Sequence, residues 1–554
     1  MRSLTSWVRK HWFLLGVIGF VALKHSILAE QPFVARSGNL HDDTLFLSQA
    51  FHILAGDWLG PYNQLTLLRG PFYPLWISFV YTLGIPLIHA NDLLYLGACL
   101  LTMRALRPLI SSRLLLFVLF ILLYFAPHSY DYATISHAFR MQIYSSLVLL
   151  LFSAALGLGV RLVYRSGAPF TWALMVGLFF SFFWYTREEG VWVLPALVLL
   201  VLFIGAALVR RHSWSIVVYT AIQCLVIPGL VFLLCTSGLM FMNQQFYGAA
   251  VVRDVKAKEF KHAYDGLLRI KPDDYRPRVP VTRKTLQKLY KLSPKMQELK
   301  PYLENTADKL GFAGEFPSAL FIFSFRDATA AAGYYGQGAD VTLAFFDGLG
   351  DELEALCREG QVECGSLPLS MVPLWRNEFN VKLPGAFFNE FYLMVRFPEF
   401  NVLPDGYFSY ADGRFLFNSG RLTHSLPRVS KKHQWDALFP DGVKEVKVEI
   451  ARTIGNGHQI IRPVLFLVAL VAWLCFTVVD LRKRKLSFLN GYMAILLVGL
   501  SALATALAII EVTSFHMLFR PRHGGLPLVI LFIACALVEW RRRRVDAEDF
   551  AAMV

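Results

Sequence analysis

Charged residues are scarce in this sequence. Only 17% of its 554 residues are Asp, Glu, Lys or Arg, whereas 55% are hydrophobic, and the mean hydropathy is +0.47. A soluble protein of this length carries more charge, so the composition excludes a soluble globular fold. It predicts a polytopic α-helical membrane protein with about ten transmembrane helices, juxtamembrane helices and an inserted mixed α/β or mainly α extracytoplasmic domain.

Several common catalytic motifs are missing as well. The sequence has no nucleotide-phosphate loop, because Gly348-Leu349-Gly350 is too short to be one, and no Ser/His/Asp triad that its spacing would justify. It also lacks internal repeats and convincing charged residues deep within the apolar stretches. A secondary transporter or flippase is expected to show both features, so their absence disfavours that class.

Cysteine is sparse, with seven in the chain. Cys357 and Cys364 lie in the polar middle of the chain, where a disulfide is plausible if that region is extracytoplasmic. No metal-ligand spacing is present. No cofactor is indicated with certainty, and the sequence leaves a divalent metal open. The other five cysteines lie within apolar stretches and are typical small core residues: Cys99, Cys224, Cys235, Cys475 and Cys535.

The net charge of +14 does not indicate nucleic-acid binding, because much of the basic excess flanks apolar stretches. This is the positive-inside pattern, and it predicts that both termini are cytoplasmic and that the first span is a retained signal anchor. The basic clusters are Arg2/Arg9/Lys10, Arg210/Arg211, Arg482/Lys483/Arg484/Lys485 and Arg541 to Arg544.

The order of the apolar stretches predicts which segments cross the membrane. The stretch from Pro71 to His89 is broken by proline and glycine, and we interpret it as a juxtamembrane or re-entrant element. With that choice the basic cluster from Arg104 to Arg113 also falls inside. The expected spans are Trp12–Leu28, Leu93–Ile110, Leu114–Phe125, Ile143–Leu162, Phe170–Tyr185, Val191–Leu208, Trp214–Leu234, Val464–Leu481, Phe488–Ile510 and Leu526–Val538.

The polar middle of the chain is long enough for a domain of its own. We therefore expect an N-terminal transmembrane module at 1–240 with a catalytic first outer loop, an extracytoplasmic soluble domain at 241–461 and a C-terminal transmembrane module at 462–554. Capping residues predict helices over Arg283–Leu292, from Pro294 after Ser293, and from Asp340 to before Gly360. Short strands or extended segments are expected at Phe321–Phe325, Phe391–Val395 and Phe415–Phe417.

The first outer loop carries the strongest chemical signal, the adjacent carboxylates Asp42 and Asp43. Like charges held close raise each other's pKa, so an acidic pair at the membrane surface suggests proton transfer or a bound cation. Both carboxylates could instead stabilise a helix that starts near Thr44, through their interaction with the helix dipole. Metal binding by His41, Asp42 and Asp43 is a weak alternative, because three adjacent residues rarely converge on one ion.

An outward acidic pair without a nucleotide site suggests transfer from a lipid-linked donor. Nucleotide sugars are cytoplasmic, so an outer transferase must take its sugar from the membrane, and a polyprenyl phosphate can carry it. The donor phosphate needs cationic partners such as arginine. The acceptor hydroxyl needs a base, which a carboxylate can supply.

The first loop resembles that of the GT-C superfamily of glycosyltransferases, which includes lipid A aminoarabinose transferase and protein O-mannosyltransferases. The resemblance rests on the acidic pair, the apolar helix after it and Gly70-Pro71-Phe72-Tyr73-Pro74. The late segment from Phe519 to Pro527 is similar to the Arg-Tyr-Leu-Leu-Pro stretch that often opens a late span in that superfamily. The resemblance covers the membrane portion and implies inverting sugar transfer from a polyprenyl-phosphate donor.

Carried over by position, the resemblance makes Asp42 or Asp43 the catalytic acid of the first loop. It places Arg520 or Arg522 near the donor phosphate. Three features depart from the superfamily: Pro-Arg-His follows the late arginine, Thr-Arg-Glu-Glu-Gly is not a general motif, and the large domain is inserted between spans.

Further substrate-binding candidates lie on the predicted outer side. Arg187, Glu188 and Glu189 form either a structural cluster of ion pairs between two spans or a functional group, which would bind sugar hydroxyls or provide a second acid. Arg69 and Arg140 are either phosphate partners or ordinary snorkelling cations. His41, which precedes the acidic pair, is either a substrate-binding residue or a solvated side chain. His523 adjoins a Gly-Gly turn that lets the backbone approach a ligand.

The sequence therefore predicts a membrane glycosyltransferase of the bacterial inner membrane, with its active site and inserted domain facing the periplasm. Its partners would be a polyprenyl-phosphate-linked sugar, a lipid, glycan or protein acceptor, and membrane lipids, with no nucleic acid. One alternative is an O-antigen ligase or polymerase type of enzyme that uses a lipid-diphosphate oligosaccharide. Another is a non-enzymatic, membrane-anchored binding protein or a transporter.

Overall fold

The computed structural model of the chain is mostly helical. It describes residues 2–29, 31, 33–187, 190–209, 214–309, 314–366, 368, 371–402, 409, 412–427, 441–516 and 520–553. The α-helices are α1 (Arg2–Leu28), α2 (Asp43–Ala55), α3 (Phe72–Thr82), α4 (Leu87–Leu106), α5 (Arg113–Tyr124), α6 (Tyr132–Ile135), α7 (Met141–Tyr164), α8 (Phe170–Trp184), α9 (Leu194–Val209), α10 (Trp214–Ala221), α11 (Ile227–Tyr247), α12 (Lys258–Leu268), α13 (Arg283–Leu292), α14 (Pro294–Lys309), α15 (Ser318–Ala331), α16 (Ala339–Arg358), α17 (Asn377–Arg396), α18 (Gly413–Thr423), α19 (Asp441–Arg482), α20 (Phe488–Thr513) and α21 (Leu526–Met553).

Shorter helical turns connect several of these helices. A π-helical segment, Ile222–Val226, joins α10 to α11. The 3-10 turns are Arg107–Leu109, Pro127–Ser129, Gly190–Val193, Asp254–Lys256, Tyr335–Gln337 and Arg520–Gly524.

The apolar helices confirm a polytopic helical membrane protein. Among the described residues, seven helical segments are long and apolar enough to cross a bilayer, and two bent helix pairs raise the number to nine. Helix α8 is apolar but shorter. All ten expected spans overlap these segments. The seven are Lys10–Leu28, Met141–Tyr164, Gly190–Leu208, Ser215–Tyr247, Glu445–Arg482, Phe488–Thr513 and Pro521–Val545.

Helix α7 is the centre of the membrane bundle. Nearly every residue from its start to Leu162 is buried, and it packs against α4, α8, α9, α20 and α21. Two glycines permit this packing, because a Cβ at Gly157 would collide with the Trp172 ring and one at Gly159 with the Phe488 ring. Small residues at such crossings are typical of membrane helices.

The Pro/Gly-broken stretch forms a sharp bend, as its composition suggests. Helices α3 and α4 meet at 108°, and Pro86 precedes the first residue of α4. The geometry fits either a broken span or a re-entrant loop. A smaller bend of 59° separates α5 from the segment Pro127–Ile135.

The middle of the chain is mainly α rather than mixed α/β. The expected strands are wrong: Phe321–Phe325 lies in α15, Phe391–Val395 in α17 and Phe415–Phe417 in α18. In α15 the buried residues Phe321, Phe325 and Ala328 follow the helical period, so they share one face of the helix. In the described ranges, β-pairing is limited to two isolated bridges, Phe33 with Pro427 and Ile270 with Cys364.

Helix-start signals in this region were mostly reliable. Thr282 caps α13 by accepting a hydrogen bond from the Thr285 backbone N–H, and the Ser293 hydroxyl accepts one from the Met296 N–H at the start of α14. The cap assigned to Asp340 is wrong. Gly338, with a φ of +124°, is the cap, and Asp340 lies within the first turn of α16. That helix ends before Gly360, as predicted, and a disulfide joins Cys357 to Cys364.

The helices of the insert pack against the first loop. Arg326 of α15 and Asp254 form a fully buried bidentate ion pair, with N–O distances of 2.8 and 2.9 Å. The same guanidinium donates to the carbonyl of Gln64 in the first loop, and Leu68 packs into the insert's hydrophobic core. The first loop is therefore anchored to the insert by buried polar and apolar contacts.

Replacing Asp254 with asparagine should destabilise the protein strongly, because Arg326 would remain buried without its counter-charge. Removing one partner of a buried ion pair costs about 3–5 kcal/mol. The melting temperature of the purified full chain in detergent measures the effect. Glu363→Gln, which breaks the exposed pair with Lys271, is the matched control and should leave that temperature unchanged. Equal melting temperatures for Asp254→Asn and wild type would show that the buried pair does not anchor the loop.

Candidate functional site

The two adjacent acids of the first loop have different surroundings. Asp43, the first residue of α2, is buried, and its carboxylate accepts hydrogen bonds from Asn39 Nδ2 at 3.1 Å and from His137 Nδ1 at 2.6 Å. Asp42 precedes the helix, and its side chain is about 30% exposed. Its Oδ1 accepts no hydrogen bond from a described residue. One acid is thus held by two hydrogen bonds, whereas the other is partly exposed and has a buried oxygen, Oδ1, without a hydrogen-bond donor among the described residues.

His137 is the partner of Asp43 that sequence reasoning missed. Its ring is fully buried, stacks on Phe139 at a centroid distance of 5.1 Å, and lies in the connection between α6 and α7. Gln142 holds the backbone there by donating to the His137 carbonyl. Because an ionised carboxylate only accepts hydrogen bonds, Nδ1 carries the proton of this pair. The two partners are 94 positions apart, so no local pattern connects them.

Arg69 and His41 attach the exposed acid to the insert. Arg69 NH2 lies 3.8 Å from Asp42 Oδ1, and Arg69 Nε donates to the His41 carbonyl. The His41 ring stacks on Phe323 of α15 at 4.2 Å, and the Arg69 guanidinium lies 5.6 Å from the same ring. Phe323 therefore supports both residues that flank Asp42.

Arg140, just before α7, and Arg187, just after α8, lie in two further connecting segments of the same region. Both are buried. Arg140 donates to the Thr186 carbonyl, and its guanidinium lies 5.9 Å from the ring of Phe46, which follows Asp43 by three positions on α2. Arg187 donates to the sulfur of Met141 and lies over Tyr144 at 5.2 Å. Two buried guanidinium groups thus lie where the loop before α7 meets the turn after α8.

Gly70 allows the first loop to reach that turn. A Cβ at this position would collide with the carbonyl oxygen of Tyr185, to which the Phe72 N–H also donates a hydrogen bond. Arg69 is thereby held near the segment that carries Arg187. Three connections, the first loop, the residues before α7 and the turn after α8, meet at one place.

The late segment is tied to the insert. Arg522 is buried, donates from Nε and NH2 to both carboxylate oxygens of Glu390, at 2.7 and 2.9 Å, and from NH1 to Glu399 at 2.7 Å. Two carboxylates thus occupy the guanidinium that sequence reasoning placed at a donor phosphate. A phosphate could reach Arg522 only by displacing them.

His523 and the Gly-Gly turn complete the contacts of this segment. His523 Nε2 lies 3.5 Å from the Thr134 hydroxyl, and its ring packs edge-on against Phe397. A Cβ at Gly524 would collide with Tyr144, the residue under Arg187. The glycine therefore lets the late segment approach the arginine turn closely. Glu188, Glu189 and the side chain of Arg520 lie outside the described part of the structure.

Ligands for a metal ion do not converge in the described ranges. No three His, Cys, Asp or Glu side chains there form such a group. His41 stacks on an aromatic ring and Asp43 is bonded to His137, so the three adjacent residues point to different neighbours. Chemically, the arrangement offers the partly exposed carboxylate of Asp42, the oriented carboxylate–imidazole pair of Asp43 and His137, and several guanidinium groups.

The environment of His41 predicts a pH dependence of stability. Burial lowers the pKa of His41, with nearby Arg69 acting in the same direction and Asp327 opposing it. The unfolded chain, with an ordinary histidine pKa of about 6.5, therefore takes up the proton first. The stabilisation is complete above that value and is lost as the pH falls through the lower pKa of the folded state.

His41→Phe, which keeps the stack on Phe323 but cannot titrate, should reduce the loss of thermal stability between about pH 7.5 and about pH 5. His262 provides a control of opposite sign. Partial burial opposes its charge, but hydrogen bonds to Asp347 and Glu354 raise its pKa, so His262→Gln should enlarge the loss at acid pH. Melting curves of the purified variants measure both effects. Identical pH profiles for His41→Phe and wild type would contradict the assignment for His41.

Comparisons with known proteins add little. No family model matches the chain, and no curated protein matches it. A crystal structure of ArnT from Cupriavidus metallidurans in the apo state overlaps 94% of this chain and 78% of its own, with 12% identity and a TM-score of 0.31. A second structure of that protein, bound to undecaprenyl phosphate, overlaps 94% and 77%, with 13% identity and the same TM-score. These values are too low to establish a common fold or activity.

Proposed function

We propose that this protein is a membrane glycosyltransferase that moves a sugar from a polyprenyl-phosphate donor to an extracytoplasmic acceptor. The proposal rests on the different exposure and hydrogen bonding of the two adjacent acids. The Asp42 side chain is about 30% exposed, and its buried Oδ1 accepts no hydrogen bond from a described residue, whereas Asp43 is buried and bonded to His137. Asp42 is therefore the proton acceptor, and Asp43 is a positioning residue.

The proposed reaction is an inverting displacement. The oxygen of the acceptor hydroxyl attacks the anomeric carbon on the face opposite the phosphate, and Asp42 takes the hydroxyl proton as the new carbon–oxygen bond forms. The bond between the anomeric carbon and the phosphate oxygen breaks, and the leaving polyprenyl phosphate keeps the electron pair. Neither nucleotide nor redox chemistry is required.

Arginines hold the donor phosphate in this proposal. Arg140 and Arg187 are the preferred candidates, because both are buried at the junction of three connections, and a guanidinium can bind two phosphate oxygens at once. Arg69 orients Asp42 at 3.8 Å. The role of Arg522 is reassigned: its ion pairs with Glu390 and Glu399 position the late segment against the insert.

The proposal also assigns an orientation. The basic clusters lie on the cytoplasmic side of the inner membrane, and the first loop, with the helices between α11 and α19, faces the periplasm. The domain division at 240 and 461 belongs to this proposal, although α11 continues to Tyr247 and α19 begins at Asp441. The contact of Phe323 with His41 suggests that the insert helps to shape the acceptor side of the site.

Asp42→Asn should abolish sugar transfer while leaving folding intact, because an amide cannot take the hydroxyl proton. Loss of a general base typically costs about 10²–10⁴-fold in rate. The assay follows radiolabel from a panel of polyprenyl-phosphate sugars into a cell-envelope extract, with protein reconstituted in liposomes. Asp57→Asn, which changes an exposed aspartate of the same loop, should transfer at the wild-type rate.

Other results would overturn this assignment. Wild-type transfer by Asp42→Asn would remove the proposed base. Transfer from lipid-diphosphate oligosaccharides, with none from monophosphate sugars, would favour a ligase or polymerase type of enzyme. Failure of the wild-type protein to bind a polyprenyl monophosphate more tightly than the free polyprenol would contradict a lipid-linked donor.

Asp43→Asn should act differently, through the position of the loop. We expect lower stability and a lower kcat with little change in the KM for the donor, because the phosphate-binding arginines stay in place. Stability measurements on Asp43→Asn, His137→Gln and the double variant should give a coupling of about 0.5–3 kcal/mol. Additive effects would show that the two residues do not act as a unit.

A further inference from the structure

A basic cavity lies at the junction of α1, α4 and α5, away from the candidate site. Its volume is about 460 Å³. It lies beside the N-terminal half of α1 and the C-terminal end of α4, whereas Asp42 follows the opposite end of α1. The basic side chains that line it are Lys10, His11, Arg104, Arg107 and Arg113.

The other wall of the cavity is apolar and opens sideways. Phe13, Met103 and Leu116 line it together with Leu14 and Leu100. The last two are 56% and 43% exposed, on helices whose length and apolar composition allow them to lie in a membrane. The cavity therefore joins a cationic end to a surface that an acyl chain can cover.

Among the residues that the structure describes, no carboxylate pairs with the arginines of this cavity. None of the ten residues that line it is acidic, and no ion pair with a described carboxylate involves Arg104, Arg107 or Arg113. The nearby hydrogen bonds go to neutral backbone groups: buried Arg161 donates to the carbonyls of Arg104 and Ala105, and Arg107 NH1 donates to the Ile110 carbonyl at 2.8 Å. The positive charge in the cavity is therefore balanced by nothing in its own walls.

Another basic cluster of the same protein shows the contrast. Near the end of α21, Arg543 pairs with Asp480 at 2.6 Å and with Glu539 at 2.8 Å. That cluster carries its own counter-charges. In the cavity, by contrast, several cations surround one opening that no acidic residue lines.

We propose that this cavity binds the phosphate group of an anionic membrane lipid, with the acyl chains lying along Leu14 and Leu100. Phosphate oxygens match the guanidinium groups. Basic pockets between membrane helices are suited to anionic headgroups. The site is separate from the acidic pair, so it does not depend on the proposed sugar transfer.

The test uses the full chain and two lipids. Native mass spectrometry and thermal shift compare phosphatidylglycerol with phosphatidylcholine in detergent, and inorganic phosphate forms a third arm. Wild type should retain phosphatidylglycerol preferentially. The triple variant Arg104→Gln/Arg107→Gln/Arg113→Gln should lose at least about tenfold in affinity, because it removes the guanidinium groups that would bind the lipid phosphate. Leu100→Trp should weaken lipid binding and leave any response to inorganic phosphate unchanged.

A matched control variant distinguishes a specific lipid site from non-specific attraction between cations and an anionic lipid. Arg482→Gln/Lys483→Gln/Lys485→Gln removes the same charge from an exposed cluster at the end of α19. These residues do not line the cavity, and their exposed charges are screened by salt, so lipid affinity should change less than about twofold. Equal losses in both triple variants would overturn the proposal, as would equal retention of the two lipids by wild type. A response to inorganic phosphate without any preference for the anionic lipid would overturn the assignment of a lipid ligand.

Discussion

The hydrogen bond between Asp43 and His137 is the contact on which the candidate site depends. A buried carboxylate is costly unless it is paired and hydrogen-bonded, so α2 can begin at Asp43 only where His137 is in place. The bond joins two connections that are 94 residues apart and fixes the first loop against the start of the central helix α7. With Asp43 directed inward, the preceding residue Asp42 is left at the edge of the site.

The insert holds the same loop from its other side. Buried Arg326 bonds at once to Asp254 and to the Gln64 carbonyl, and Phe323, three positions earlier on the same helix, stacks on His41. A single face of α15 thus contacts both ends of the segment that contains the acidic pair. The insert is therefore part of the framework of the site, and substitutions in its core should alter the position of Asp42.

The sequence predicts the membrane helices well, because a long apolar stretch has few other stable structures in lipid. It also identifies the acidic pair, since adjacency is a local feature. It does not reveal the His137 partner or the ion pairs of Arg522 with Glu390 and Glu399, because contacts between distant connections leave no local pattern. The phenylalanine-rich segments were misassigned as strands because a short aromatic run fits both structures, and only the four-residue spacing of Phe321 and Phe325 favours a helix.

Cations in different parts of the chain balance their charges in different ways. Toward the insert, the buried cations Arg522 and Arg326 pair with carboxylates of the same chain. In the cavity beside α1, the cations have no acid in the lining walls. An anion from outside the chain would relieve the mutual repulsion among them, and an anionic bilayer would supply one at high local concentration. Membrane lipid would then complete the packing of α1 against α4 and α5, the same helix whose far end delivers Asp42 to the candidate site.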